Sequence, residues 1–534
     1  MNTDQLIDIS VVVAYLLGIT IYGLWVGRRS NKSAAGYFLA DRDFGWVMVG
    51  FSLFATNISI GAFVGGSGMA YSAGFASITP ELQGGLMLVV SSIIMVPMFL
   101  RSKIMTIPQF LELRFSRAAK LLYGGIHVVS GTLGSPLGMF VGALAVIKLF
   151  GFELTGPNVF WAAAIIAGTV GLYAVFGGMR SVVVTDLVQC ILMIGGGLMV
   201  TFFGLREVGG WSGLKATVGE DMFHLWRPAS DPHFPWTAAI PGQLLHAAFF
   251  AFCNIALLQR ALATRNIDQA QKGMLLGAFL KMGGIVLFTL PVLIALGLYP
   301  DIAKPDEAYP MMVRDLLPVG LSGLILAGLL AAMMSSQDSG INATAGVVAL
   351  DLWPTVRPTA TEREGVIVGK CFAAGNMAWG VIAAPFLLGA DQGIYAMVLK
   401  ISGFMILPTG TVYLLGRFMR RINHQGAVAT LVVGLVMGVW YVVCSTIPDL
   451  RFLLPDVLAK AHFYHVYPVY FLIFATVLVG VSLLFPAPSA EKLTCVAPMA
   501  KAAKLATSPV WWRSYRTWLI AYLIALAWIY SVFN

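Results

Sequence analysis

A chain of 534 residues that is 58% hydrophobic and only 11% charged lies far from soluble globular domains, where roughly a quarter of residues carry charge. Apolar runs long enough to cross a bilayer recur from Ile9 to Val532, so the composition excludes a soluble enzyme or binding module and predicts an all-α polytopic membrane protein. The net charge of +9 would suit nucleic-acid binding in a soluble chain, but here it collects in the connections between apolar runs and reports membrane orientation instead.

In chain order the runs predict fourteen spanning helices, near residues 8–28, 46–72, 78–102, 119–149, 158–177, 182–205, 236–261, 269–299, 315–349, 365–389, 393–416, 425–446, 464–485 and 515–533. The first run does not read as a signal peptide, because Asp4 and Asp8 precede it where a basic region is required. Alternate connections hold most of the 34 Lys and Arg, among them Arg28, Arg42, Arg114, Arg117, Lys120, Arg180, Arg260, Arg265, Arg357, Arg417 and Arg421. Positive charge stays cytoplasmic. An even number of spans then puts both termini outside a cell membrane, most simply a bacterial inner membrane. The cysteines (Cys190, Cys253, Cys371, Cys444 and Cys495) have neither metal nor redox spacing and read as small apolar side chains.

The second span is the most informative. Residues 51–68 lie at membrane depth yet carry Asn57, Ser59, Ser67 and four glycines. A broken helix lining a cavity needs such residues, since unwinding frees carbonyls for a cation. The seventh span has its own interruption, with His246 and Asn254 inside an apolar run. Matching interruptions suggest two groups of five helices. The expected organisation is an extra N-terminal helix and basic loop (1–45), a first repeat (46–206), a second repeat (207–422) and three accessory helices (423–534).

In the ninth span, Ala332, Ser335, Ser336, Ser339 and Asn342 recur at three- and four-residue spacing and share a helix face. Such a stripe serves close helix packing or ion ligation. Asp338 beside it favours ligation, because an intramembrane carboxylate usually marks an ion path. Glu81, Asp186 and Lys281 are also at or near membrane depth. Glu81 and Lys281 either neutralise each other or bind the hydroxyls of a polar solute. Lys400 is a further candidate, unless it snorkels to an interface. Asp186 and Asp338 could form an acid dyad, but no nucleophile–base pair, metal motif or cofactor loop supports an enzyme.

Several longer motifs accompany these residues: Tyr37-Phe-Leu-Ala-Asp-Arg42, Phe54-Ala-Thr-Asn-Ile-Ser59, Thr106-Ile-Pro-Gln-Phe110 and, most specific, the run Tyr173 to Gln189. With Gln259-Arg260 and Ser335-Ser336 they resemble the sodium/solute symporter family, over about residues 8–485. Tyr309-Pro310, Lys281 and Glu81 look most like its sodium/sugar branch, the sodium/glucose cotransporters. The resemblance implies a LeuT-like five-plus-five inverted-repeat core. It further implies a Na⁺ site made by the carbonyls of Ala55, Ile58 and Ala332 with the hydroxyls of Ser335 and Ser336. Asp186 matches an acid between that site and the cytoplasm, which in some members helps hold a second Na⁺, here with Ser335 and Ser339. Asp338 departs from the family pattern by placing a carboxylate where a hydroxyl is usual; a second Na⁺ site and a proton carrier both remain open.

Glu81 and Lys281 match positions that bind sugar hydroxyls. However, Ala62, Gly84, Ala247 and Leu399 stand where bacterial galactose carriers have polar ligands, and Phe250 replaces a tyrosine below the sugar. Tyr395 falls at an aromatic outer-gate position. The implied function is secondary active transport, with Na⁺ as coupling ion and a monosaccharide or related polyol as solute. An amino acid, organic acid or nucleoside is the alternative, since Lys281 could pair with a carboxylate. The lipid bilayer is the one other partner the sequence names.

Overall fold

Backbone polar groups inside a bilayer must find partners within the chain. The computed structural model meets this demand with helices alone, and no β-strand occurs among the described residues, which are 3–28, 34–58, 63, 66–102, 104–231, 234–302, 305–388, 394–494 and 510–534. Eleven helices among them are long and apolar enough to cross a membrane. The predicted fourteen spans emerge on three further observations. The helix Gly156–Glu207 is two helices merged across Gly178, which sits at φ 61°. Ile394–Phe418 is a continuous helix. The second span is present in two pieces, Trp46–Asn57 and Gly66–Ala73.

The spans are numbered α1 (Thr3–Gly27), α2a and α2b (Trp46–Asn57, Gly66–Ala73), α3 (Thr79–Ser102), α4 (Arg117–Leu149), α5 (156–177) and α6 (179–207). They continue as α7a (Trp236–Cys253), α7b (Ile255–Leu262), α8 (Ile267–Leu298), α9 (Leu321–Val347), α10 (Glu362–Ala383) and α11 (Ile394–Phe418). Finally come α12 (His424–Thr446), α13 (Phe463–Leu484) and α14 (Tyr515–Val532). The ninth span starts later than expected. Ala308–Leu316 forms its own short helix, and the chain turns at Gly320 before α9 begins.

The basic connections meet at one end of the bundle. Arg265 reaches Asp43, Thr106 donates to Asp351, Lys120 pairs with Glu112, and Arg114 donates to the carbonyls of Gly416 and Ile422. At the other end Asp8 accepts from the amides of Gly320 and Gly323, Tyr71 donates to the Tyr299 carbonyl, and Leu225 pairs with Phe533. The segregation follows from the expense of carrying Lys and Arg through hydrocarbon.

Two close approaches position the site. On α8, Gly273 and Gly277 let the backbone of α2a lie directly against it; a Cβ on Gly273 would stand 3.1 Å from the Trp46 carbonyl oxygen. Gly178 turns α5 into α6 under the short helix Ala34–Leu39, where the Tyr37 hydroxyl donates to the Val175 carbonyl at 2.8 Å. A Cβ on Gly178 would come within 2.7 Å of the Tyr37 carbonyl oxygen. Gly178→Val should therefore destabilise the protein by about 2–4 kcal/mol, combining backbone strain with overpacking. Thermal unfolding in detergent reads the loss. Gly195→Ala, whose added methyl meets nothing within 4 Å, should leave the transition in place.

Candidate functional site

Two helix interruptions organise the interior. Helix α2a ends at Asn57, and Ile58 is extended (φ −94°, ψ 97°) with its amide donating to Phe54. Helix α7a ends at Cys253, and Asn254 is extended (φ −76°, ψ 112°). The Asn254 side chain then accepts from the Leu257 amide at 3.1 Å and starts α7b. The α2 interruption is the one expected from Asn57 and its glycines; the α7 interruption falls on the expected Asn254.

The last turn of α2a has carbonyls with no intrahelical donor and the negative end of the helix dipole. That turn faces α9. The Ser336 hydroxyl donates to the Ala332 carbonyl at 3.1 Å and stands 3.4 Å from the Thr56 carbonyl oxygen. The Thr56 and Ser339 hydroxyls are 3.2 Å apart, and Ala55, Ile58 and Ala332 are all fully buried. Of the five expected Na⁺ ligands, Ser336 and Ala332 meet the end of α2a at the Thr56 carbonyl, while Ala55 and Ile58 are buried on either side of Thr56 and Asn57. The fifth, Ser335, is turned away: its hydroxyl donates to Asp186 at 2.5 Å.

Asp186 is the centre of a sealed polar cluster. One of its oxygens accepts from Ser335; the other accepts from Ser52 and from the Arg260 guanidinium at 3.0 Å. Arg260 also donates to Ser52 at 2.8 Å and to the Ala256 carbonyl, and it contacts the Ser339 hydroxyl. Asp338 completes the cluster, accepting from Tyr173 at 2.7 Å and from Ser339 at 3.0 Å. Asp186, Asp338 and Arg260 are all 0% exposed.

Arg260 corrects the sequence reading, which counted it among the solvated basic connections. It lies inside the bundle on α7b. Its position near a span end hid it, because terminal arginines ordinarily snorkel. The partners Ser52 and Tyr173 also carried no signal of their own, although Tyr173 opens the most specific motif in the chain.

Glu81 and Lys281 meet, as one of the two sequence readings required. The Lys281 ammonium contacts both the Glu81 carboxylate and the Asn57 side-chain oxygen, joining α3 and α8 to the end of α2a. The Lys281 side chain is 2% exposed and that of Glu81 11%. Gly84 borders the pair; a Cβ there would lie 3.1 Å from Lys281 Cε. Ala247 is buried on α7a, and Phe250 lines a separate cavity with Cys253 and Asn254. Ala62 lies outside the described residues, as do the side chains of Tyr395, Leu399 and Lys400.

Comparison with known proteins bears on the family and the fold. The sequence model of the sodium:solute symporter family matches residues 37–434. A Danio rerio sodium/glucose cotransporter 4 is 29% identical, covering 96% of this chain and 81% of the relative. A Mus musculus sodium/myo-inositol cotransporter 2 is 30% identical, covering 81% of this chain and 69% of the relative. Among solved structures, the substrate-bound outward-open state of a Na⁺-coupled sialic acid symporter superposes with a TM-score of 0.77 at 20% identity, covering 90% of this chain and 99% of the other. The nucleobase-cation-symport-1 transporter Mhp1, in a closed conformation, gives 0.53 at 16% identity, with 88% and 99% covered. The core is LeuT-like, as the resemblance implied.

The buried cluster yields a stability prediction. Arg260→Met leaves Asp186 without its cation and should cost ~3–5 kcal/mol, whereas the double variant Arg260→Met/Asp186→Leu should recover a large part of that loss. Thermal unfolding of the two purified variants checks both signs.

Proposed function

We propose that this chain, which belongs to the sodium:solute symporter family, couples inward Na⁺ flow to uptake of a monosaccharide or related polyol by alternating access. The observation that carries the ion assignment is the junction of Ser336 and Ala332 on α9 with the open carbonyl end of α2a. Oxygen donors from a helix end and a hydroxyl-bearing neighbour suit a hard monovalent cation. The Na⁺ ligands are the carbonyls of Ala55, Ile58 and Ala332 with the hydroxyls of Ser336 and Ser335, the latter after release from Asp186. Asp186, Asp338 and Ser339 form a second Na⁺ site or the exit path, and the contact of Ser339 with Thr56 at the end of α2a and with Asp338 supports that role.

Glu81 and Lys281 receive the solute, one accepting and one donating, and Asn57 couples them to the broken helix. Ala62, Phe250 and Tyr395 are assigned by resemblance alone, as gate or cavity residues. The relatives named for glucose and myo-inositol support a polyhydroxylated solute. The chain divides into an extra helix (1–45), two inverted repeats (46–206 and 207–422) and accessory helices (423–534). Both termini face outward from a bacterial inner membrane, and the chain performs transport without covalent chemistry.

The driving force suffices. One charge crossing ~100 mV contributes about 2.3 kcal/mol. A tenfold Na⁺ gradient adds about 1.4 kcal/mol, so one coupled ion supports roughly 500-fold accumulation.

Reconstituted vesicles test the assignment. Ser336→Ala should raise the Na⁺ concentration for half-maximal uptake about tenfold, the effect of losing ~1.4 kcal/mol at one ligand. An unchanged Na⁺ dependence assigns the ion elsewhere. In a separate measurement, Lys281→Ala should abolish uptake of labelled glucose and myo-inositol while the carrier still reaches the membrane. Counterflow with amino acids and nucleosides as competitors decides the solute class.

A further inference from the structure

We infer that a second, release-side subsite for the solute occupies a cavity between α4, α7 and α11; the inference rests on the polyol reading above and adds a station to it. The cavity has a volume of about 150 Å³, room for roughly five waters at ~30 Å³ each. Tyr123, His127 and Ser130 enter it from one face of α4, at spacings of four and three residues. Asn254, at the interruption of α7, and Thr409 on α11 form other walls, and Phe250 adds an aromatic side. No Asp, Glu, Lys or Arg lines it. A charged solute would find no counter-ion there, whereas an uncharged polyhydroxylated one meets hydroxyl, amide and imidazole groups on several sides.

These groups have unused capacity. The Tyr123 hydroxyl donates to the Cys253 carbonyl at 3.1 Å, and Thr409 donates to Ile406 at 2.8 Å, so each keeps lone pairs to accept from a solute hydroxyl. The Tyr123 and His127 rings lie parallel with centroids 6.4 Å apart. Such neutral contacts are individually weak. Weak retention suits a station that must let go.

The cavity is distinct from the Glu81–Lys281 pair. The wall of α3 meets α7 where Ser91 donates to the Ala251 carbonyl, between Phe250 and Cys253. Ser91 lies ten residues beyond Glu81, about 15 Å along the helix axis. That direction runs toward the basic end, because Tyr123 is close to the Arg117 start of α4 and Asn254 precedes Arg260 on α7. A solute leaving the central pair past Phe250 therefore meets this cavity before the basic face.

The test places a thiol in the cavity of the full-length carrier, Ser130→Cys with Cys253→Ala, and follows its alkylation by a small water-soluble maleimide in inside-out vesicles. Millimolar myo-inositol or D-glucose should slow labelling several-fold, and should still do so after Lys281→Ala removes the central contact. His127→Phe, which fills the cavity, should abolish the protection; Thr409→Val serves the same purpose if the phenylalanine variant fails to fold. Protection that vanishes with Lys281→Ala overturns the subsite, since the thiol then reports only central occupancy. Absence of protection in both backgrounds, with wild-type uptake of either polyol intact, also overturns it and leaves the transport reading standing. A wild-type carrier that neither binds nor transports either polyol defeats the functional reading and the subsite with it.

Discussion

A single guanidinium facing two carboxylates, all withdrawn from water at membrane depth, sets the terms for the rest of this structure. Burying such charges costs several kcal/mol each unless partners surround them. Arg260 meets that demand through Asp186, Ser52, Ser339 and the Ala256 carbonyl. Its partners come from α2a, α6, α7b and α9, so one side chain ties the broken helix to the helix bearing the serine stripe. Moving any of these helices alone would strand a charge. Rearrangement must either carry the cluster as a unit or exchange its partners, and an incoming monovalent cation is the natural partner for exchange.

The local chemistry of the interruptions works in the same direction. Ile58 and Asn254 leave helical geometry inside apolar runs, at an expense that only a polar lining offsets. At α7 the offset is local, because the Asn254 side chain caps the next helix segment. At α2 it comes from across the bundle: Ser336 hydroxyl toward the Thr56 carbonyl, Lys281 ammonium toward Asn57. One interruption is self-contained, the other leans on neighbours. An element stabilised by neighbours changes shape when they move.

The sequence exposed what periodicity and membrane cost control, and little else. Fourteen spans, the polar break at Asn57 and the carboxylate at position 338 were all legible, because each violates or satisfies a length or polarity rule that needs no neighbour. The fate of Arg260 was not. A residue near the end of a span reads as solvated, and only the side-by-side placement of α6 and α9 explains why it turns inward. The orientation of Ser335 escaped for a similar reason: helix geometry gives the stripe its face but cannot say that Asp186 competes for one hydroxyl of the pair. Glu81 and Lys281 pair with each other, and their contact with Asn57 adds a third partner, which links them to the interrupted helix.

That third partner bears on coupling. Ion and solute can drive one another only if both favour the same conformation over the alternative, since equal affinity for both states shifts nothing. Here the two halves of the site share α2a: its terminal carbonyls face Ser336, and Asn57, the last residue of the same helix, holds Lys281. In the proposed arrangement, a cation that draws the carbonyls of Ala55 and Ile58 together would fix the turn on which Asn57 sits. The ammonium is thereby held in place beside Glu81, ready for a hydroxyl. A solute bound beside Glu81 and Lys281, with Asn57 still holding the ammonium, would favour the same fixed turn. Reciprocal influence over about one helical turn needs no long-range pathway. It requires only that both ligands act on the same turn.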